Sequence, residues 1–262
     1  MKYEDVKKLI ETIAPPDLAE PWDNSGTQIK IKGDVEKALI CLEITRDVIR
    51  EAEEKCCDLI ISHHPLLFDE MRCIDTGAYD TALARQAELT FQLIKAGINV
   101  YSAHTSFDNA PKGNNYYVAK LLGAEDIKGP GEGLEGSIGE LAEEMDLCQF
   151  SGLVKEKLDI PDGLIRKVGE DSRKVKRIAV CTGAGGVFMD SAAALGADVL
   201  VTGDVKFDQA HKAAHHGLAL IDAGHFGTEK PFERNFAEQL RAVCSGLEVF
   251  ESENCTDPWS AV

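Results

Sequence analysis

Three short segments of the sequence place a histidine beside another histidine or near a carboxylate, and each follows an apolar run. Imidazole nitrogens and carboxylate oxygens bind divalent metal ions, and more of them are present than one tetrahedral ion needs. Ligands of open α/β sheets bind at the carboxyl ends of strands, where these segments are predicted to lie. The pattern favours a metal site, whose candidate residues are His63 and His64, His104 and Asp108, and His225 and Glu229.

The adjacent His63 and His64 are the strongest of these signals. Consecutive side chains of a strand point to opposite faces, so the two rings suit two ions, or one ion and a substrate, better than a single ion. In the other two segments the histidine and the carboxylate are four residues apart, and they share a face where the chain turns helically. The alternatives are structural: histidines bonded to nearby carbonyl groups, Asp108 as a turn or cap residue, and Glu229 as first-turn charge after an N-cap at Thr228.

The chemistry of the donor set narrows the choice of metal. Four imidazoles and two carboxylates, without thiolates, suit Zn, Fe, Mn, Co or Ni rather than Ca or an iron–sulfur cluster. A carboxylate such as Glu229 can bridge two ions about 3.5–4 Å apart, an arrangement that activates water for hydrolysis.

The elements that must position these residues alternate between strands and helices, which predicts an α/β fold rich in parallel strands. In the first half, the predicted strands are 38–44, 58–62 and 98–103, and the predicted helices are 3–14, 45–55, 81–97 and 114–123. A second β-α series begins at 176–181. Between them, the glycine-rich stretch 124–140 predicts a linker or an exposed crossover and a domain boundary, followed by short helices at 140–145 and 151–158.

Composition excludes several classes of protein. The chain has 262 residues with 44% hydrophobic and 28% charged content, so it is long enough and apolar enough for a well-buried core. No apolar run approaches the ~20 residues that a membrane span needs, and no signal peptide is recognised, so we expect a cytoplasmic protein. The net charge of −17 disfavours a nucleic-acid binder. The eight cysteines contain no CxxC pair, and most of them are interpreted as small buried packing residues.

In combination and order, five motifs resemble those of the GTP cyclohydrolase 1 type 2 homologs, also called Nif-three-like proteins. The motifs are WDNSG (22–26), ISHHPLLF (61–68), YSAHTSFDNA (101–110), TGD (202–204) and GHFGTE (224–229). The resemblance covers nearly the whole chain. It implies an α/β fold of two lobes, each a layered sheet with β-α alternation, in which residues 1–125 plus 225–262 form the metal-bearing lobe and 126–224 form a second lobe facing the site.

The resemblance also implies the roles of single residues. His64 and Asp108 would bind one ion and His63 and His225 the other, with Glu229 bridging. His104 matches a further site histidine, close enough to bind metal or to act beside the ligands, and it is our candidate for proton transfer. The implied cofactor is two divalent ions per subunit, and the implied assembly is a homohexameric ring.

Two functions from different classes follow from these observations. The first is a dinuclear-metal-dependent hydrolase of a nucleotide-like or phosphorylated small molecule, for which the family name adds GTP ring opening as a specific reaction. The second is a metal-binding ring without catalysis, which acts as a metal chaperone or protein scaffold. A ring that encircles nucleic acid is a third hypothesis, which the charge disfavours.

Other motifs receive structural interpretations. The glycine-rich segment 182–186 could cradle a phosphate, but a tight turn is favoured because the full dinucleotide and Walker patterns are missing. His215 and His216 precede Gly217 at a predicted helix end. Many relatives have an aromatic-His pair shortly after the TGD motif, whereas this chain has Phe207-Asp208, so no substrate role is assigned to that segment.

Overall fold

A computed structural model describes residues 1–68, 82–129 and 136–260. Its helices are α1 (Tyr3–Ile13), α2 (Arg46–Glu54), α3 (Ala82–Ala96), α4 (Thr105–Asp108), α5 (Asn114–Leu121), α6 (Leu147–Lys157), α7 (Met189–Ala194), α8 (Phe207–His216), α9 (His225–Glu229) and α10 (Pro231–Val243). Its strands are β1 (Gly26–Ile29), β2 (Lys37–Cys41), β3 (Leu59–Ser62), β4 (Asn99–Ser102), β5 (Ala124–Lys128), β6 (Ser137–Asp146), β7 (Arg166–Val168), β8 (Lys174–Val180), β9 (Val199–Thr202), β10 (Ala219–Asp222) and β11 (Glu248–Glu251). Short 3₁₀ turns cover Pro16–Leu18 and Gly185–Phe188.

The chain forms two compact units. The first consists of Met1–Ala110 and Phe232–Thr256, and the second of Pro111–Pro231 with the last residues from Asp257. Both are α/β units, which confirms the predicted fold class.

The first unit contains a five-stranded sheet in the order β1-β4-β3-β2-β11, in which only β1 runs antiparallel to its neighbour. Successive strand residues alternate between two buried faces, as Leu39 and Ile40 show. Ile40 packs with residues of α1 and α10, and Leu39 packs with residues of α2 and α3. Helices therefore cover both faces of the sheet, which is why its strands are continuous apolar runs in the sequence.

The second unit contains a six-stranded mixed sheet in the order β5-β6-β8-β9-β10-β7. Its centre, β8-β9-β10, is parallel, and the outer pairings are antiparallel. Val201 packs with residues of α5 and α6 on one face, while Leu200 packs with residues of α7 and α8 on the other. Both units thus have three layers, with the sheet in the middle.

The unit boundaries differ from the predicted ones. They fall at Ala110/Pro111 and Pro231/Phe232 rather than after 125 and before 225. Helix α5 lies in the second unit because Val118 and Ala119 are buried in that unit's core. Helix α9 lies there as well, because Asn114 Nδ2 donates to the carbonyl oxygen of Thr228 and Gly183 N donates to its hydroxyl.

The prediction for residues 124–145 was wrong in part. Residues 124–128 and 137–146 are the strands β5 and β6, paired in an antiparallel hairpin, where a linker and a short helix at 140–145 were predicted. The pairing of β6 with both β5 and β8 outweighs the helix propensity of its Glu and Ala residues. Residues 130–135 of the predicted linker lie outside the described part.

Among the described residues, no helix combines the length and apolar character that a membrane crossing requires.

Candidate metal centre

His63 and His64 lie immediately after β3, at the carboxyl end of the first unit's sheet. The amides of both residues donate to carbonyl groups of the neighbouring chain segment, Cys41 and Leu42, so the extended backbone continues past the strand. Ser62 Oγ then donates to the carbonyl of His64 at 2.8 Å, which accompanies a bend of the chain. Because of this bend, the two rings lie 5.2 Å apart rather than on opposite faces.

His104 comes from the end of the neighbouring strand, β4, and completes a group of three imidazoles. One ring nitrogen from each of His63, His64 and His104 lies within 4.8 Å of the others, a distance at which all three can reach one metal ion. His63 is fully buried and packs against the ring of Phe232, with 4.8 Å between centroids. His64 and His104 are partly exposed, so the group is open on one side.

Asp108 adds a carboxylate to this group. The chain turns helically through α4, which is the condition under which residues four apart share a face, and the Asp108 Oδ2 atom lies 3.6 Å from Nε2 of His63. The first unit therefore brings together three imidazoles and one carboxylate, which is a borderline donor set suited to a divalent transition metal.

The Nδ1 atoms of all three histidines face oxygen acceptors. His63 Nδ1 donates to the carbonyl of Ala103 at 3.0 Å, His64 Nδ1 to Glu43 Oε2 at 2.8 Å, and His104 Nδ1 to Asp23 Oδ1 at 2.8 Å. An imidazole that donates from Nδ1 presents the lone pair of Nε2, and such partners orient histidines that bind metals. These bonds favour the same tautomer in all three rings. In it Nδ1 carries the proton, and Nε2 has the lone pair that can bind a metal ion.

Asp23 is held in place by further hydrogen bonds besides the one from His104. Its buried carboxylate also accepts from Ser25 Oγ at 2.6 Å and from both the amide and the hydroxyl of Thr105. Burial acts to raise the pKa of Asp23, but the hydrogen bonds from His104, Ser25 and Thr105 outweigh it and hold the pKa well below its ordinary value. Asp23 is therefore an anion whose position is fixed by its donors, and it fixes His104 in turn.

The second unit carries its own pair of donors on α9, after β10. His225 Nε2 lies 2.9 Å from Glu229 Oε2, one helical turn apart, and its Nδ1 donates to Asp204 Oδ2 at 2.7 Å. The hydrogen bond to Glu229 is the main cause that raises the pKa of His225 to about 9, with burial acting against it and Asp204 adding to it. Two carboxylates thus favour positive charge at this ring.

A glycine turn fixes the position of Glu229. Gly183 has a φ of +67°, and a Cβ atom there would overlap Oε1 of Glu229. The amide of Gly183 donates to the hydroxyl of Thr228, which also bonds back to the carbonyl of Gly224. The turn therefore allows the carboxylate to approach the backbone as closely as it does.

The amides of this turn are engaged within the unit, as the tight-turn interpretation expects. Gly183 N donates to Thr228 Oγ1, Gly185 N to Thr202 Oγ1 and Thr182 N to Asn115 Oδ1. These three amides are therefore engaged within the fold rather than presented to a phosphate. His215 and His216 end α8 before Gly217, whose φ is +65°, as predicted for helix-terminal residues.

The structure places each predicted site residue in one of two groups. His63, His64, His104 and Asp108 come together in the first unit, and His225 and Glu229 come together in the second. Sequence reasoning did not predict the roles of three carboxylates that orient imidazoles, which are Glu43, Asp23 and Asp204. Two of them lie in the WDNSG and TGD motifs, so those motifs were the available signal.

The whole chain is similar to proteins of a known family. A family model described as Duf34/NIF3 (NGG1p interacting factor 3) matches residues 1–258. A relative from Clostridium perfringens, named GTP cyclohydrolase 1 type 2 homolog, is 34% identical over 270 residues, which cover 100% of both chains. Among solved structures, a Bacillus cereus protein related to NIF3 is 25% identical with a TM-score of 0.91, and a Staphylococcus aureus hypothetical protein is 28% identical with a TM-score of 0.91. Each covers 100% of this chain, and 99% of the solved chain is matched. The chain belongs to the Duf34/NIF3 family.

Proposed function

We propose that this protein is a metal-dependent hydrolase of a nucleotide-like or phosphorylated small molecule, with two divalent ions per chain. The residues that bind the two ions are His63, His64 and Asp108 of the first unit and His225 and Glu229 of the second. One observation carries the proposal: every imidazole of the two donor groups has its Nδ1 bonded to an oxygen acceptor. Such partners fix ring orientation and raise the basicity of Nε2, as metal binding requires.

The donor set fits this assignment. Imidazoles and carboxylates without thiolates suit Zn, Fe, Mn, Co or Ni. Divalent ions bound there would lower the pKa of water and polarise the bond under attack.

The residues of the chain perform the remaining tasks. His104 moves a proton, because Asp23 holds its Nδ1 proton and leaves Nε2 to accept or donate one. The ring of Phe232 covers one side of His63 and keeps water from that side of the group. The name of the Clostridium perfringens relative makes GTP the first substrate to test, with water adding to the imidazole carbon of guanine while His104 transfers protons.

The first test is metal stoichiometry. Elemental analysis of anaerobically purified, metal-saturated protein should find two ions per chain. Glu229→Ala should lower the occupancy of both ions, and His64→Ala mainly that of one. A saturated wild-type protein with a single ion contradicts the dinuclear assignment.

The second test is turnover. Protein reconstituted with each candidate metal should hydrolyse GTP, a phosphoester or a cyclic amide, and His64→Ala should abolish the reaction. His215→Gln is the matched control, since His215 ends a helix outside both donor groups. Two bound ions without turnover on any of these substrates would contradict the hydrolase and favour the metal-carrying alternative.

A further inference from the structure

Two exposed aromatic rings lie beside the histidine group of the first unit. Trp22 is 58% exposed and Phe68 is 54% exposed, although both are large apolar side chains. Their ring centroids lie 5.9 Å and 6.4 Å from that of His104, and 6.3 Å from each other. We call Trp22 and Phe68 the aromatic pair. Single exposed apolar residues are common on protein surfaces, whereas exposed apolar residues that lie together often mark a binding site.

Hydrogen bonds hold the two segments that carry the aromatic pair. Asn24 Nδ2 donates to the carbonyl of Leu67, and Leu67 N donates to Gln28 Oε1 at 3.0 Å. Gln28 Nε2 in turn donates to the carbonyl of Asn24 at 2.6 Å. Because side-chain amides connect residues 24–28 with residue 67, the two segments that carry the rings are held together before any ligand arrives. Such preorganisation lowers the entropic cost of binding.

We propose that the aromatic pair binds a planar heteroaromatic ring of the substrate by stacking, next to His104. This assignment rests on the proposed function, because it places the ring beside the histidine group that would carry the chemistry. The two rings are inclined at 62° to each other, so a planar group can lie on the face of one ring and meet the edge of the other. Stacking also suits a chain of net charge −17, since it attracts an uncharged ring without any cationic side chain.

Tryptophan fluorescence gives a direct test that does not depend on turnover. The sequence contains two tryptophans, so Trp259→Phe leaves Trp22 as the only one. In that variant, AMP and GMP should quench Trp22 with a saturable response, whereas ribose 5-phosphate, which lacks the base, should not. Equal responses to the nucleotides and to ribose 5-phosphate would overturn the proposal.

Variants of the second ring supply the control. In the same background, Phe68→Leu should weaken nucleotide binding by about 5-fold or more, since one base–aromatic contact is lost. Phe91→Leu is the matched control, because Phe91 lies on α3 with the same 54% exposure, and it should bind as the background does. Unchanged affinity in Phe68→Leu overturns the proposal. A change in oligomer mass by light scattering, with unchanged affinity, would assign the pair to contact between chains and overturn it as well.

These outcomes test the proposed ring-binding site and the proposed hydrolase activity independently of each other. Base-dependent quenching without turnover on any substrate supports the ring site and contradicts the hydrolase. Turnover of a nucleotide whose KM is unchanged in Phe68→Leu and in Trp22→Leu supports the hydrolase and contradicts the ring site.

Discussion

At the scale of single residues, a carboxylate accepts the Nδ1 hydrogen bond of three of the four histidines in the two groups, His64, His104 and His225. Glu43, Asp23 and Asp204 each bond to an Nδ1 atom, and each is a carboxylate in a loop rather than in a helix or strand. Asp204 even adopts a φ of +52°, a left-handed conformation that costs other residues more than it costs Asp. The left-handed backbone of Asp204 thus occurs where its carboxylate accepts the hydrogen bond that orients His225.

We therefore expect Asp204→Ala to lower metal affinity by about 10–100-fold, because His225 would lose the bond that orients its ring. Asp208→Ala is the control, since Asp208 is an exposed carboxylate in the first turn of the nearby α8. Competition with a chromogenic chelator measures both affinities. Equal affinities in the two variants would show that the acceptor has no influence on metal binding.

Substitution of His104 distinguishes a role in metal binding from a role in catalysis. If it transfers protons, His104→Gln should retain metal close to the wild-type content while turnover falls by ~10²–10⁴-fold. If it mainly orients or binds metal, the same substitution should weaken metal binding instead. Metal content and turnover measured on one sample distinguish these roles, and a variant with normal metal and normal turnover excludes both.

The sequence pattern identifies the six candidate metal-binding residues. It does not identify the carboxylates that accept hydrogen bonds from the Nδ1 atoms of the histidines. Each candidate residue either follows an apolar strand or lies one helical turn from its partner. The candidates are His63, His64, His104, Asp108, His225 and Glu229. The acceptors are 21 residues from His64, 81 from His104 and 21 from His225. No periodicity connects residues at such separations, so only the folded chain, or the motifs that contain them, identifies the pairs.

At the scale of elements, the glycine turn before the second 3₁₀ segment determines where Glu229 can lie. We expect Gly183→Ala to reduce metal content, because its Cβ would displace Oε1 of Glu229, and to destabilise the fold by about 1 kcal/mol through the positive φ. Gly196→Ala is the matched control: its φ is +75°, and its Cβ would meet nothing within 4 Å. The control should lose similar stability and keep its metal. Equal metal content in both variants would contradict the role of the turn.

Helix α2 is connected to the chain after β11 through a buried carboxylate. Glu51 accepts from Ser252 Oγ at 2.6 Å, from Glu253 N at 3.0 Å and from Asn254 Nδ2 at 2.7 Å. Burial acts to raise the pKa of Glu51, but these bonds and Lys55 hold the pKa below its ordinary value of 4.5. A depressed carboxylate pKa stabilises the fold above the unfolded value, and this stabilisation is lost as the pH falls through the folded value.

Glu51→Ala should therefore lower the free energy of unfolding by about 1–3 kcal/mol at pH 7, since several partly buried donors lose their acceptor. The deficit relative to wild type should shrink as the pH falls below 4.5, where the wild-type carboxylate becomes protonated. Urea unfolding across this range measures it. Glu54→Ala, on the exposed side of the same helix, should show neither effect. A deficit that is independent of pH would contradict the argument.

The elements also show where sequence patterns stop being sufficient. Apolar runs located β2, β3 and β4 to within three residues, because strands buried on both faces need continuous apolar sequence. Strand β6 was not predicted because residues 140–145, ELAEEM, consist entirely of strong helix formers. Its strand form depends on hydrogen bonds from β5 and β8, which lie on either side of it and are not visible in the local pattern.

At the scale of the whole molecule, the dominant property is the charge of −17 on a chain of 28.5 kDa. The family resemblance implies a homohexamer, and closed homo-oligomers are usually symmetric. Six such chains repel one another, and salt screens that repulsion over a Debye length of about 10 Å at 0.1 M. Any assembly must therefore gain enough from its contacts to outweigh this repulsion.

We expect light scattering at 0.15 M salt to find one species near six times the chain mass. Lowering the ionic strength should shift the population toward smaller species, because the repulsion between like-charged chains is then less screened. Raising it should have the opposite effect until contacts that depend on ion pairs weaken. A single species near 28.5 kDa at all salt concentrations would contradict the assembly. A hexamer that dissociates as salt is added would instead show that ion pairs between chains, rather than apolar contact, hold it together.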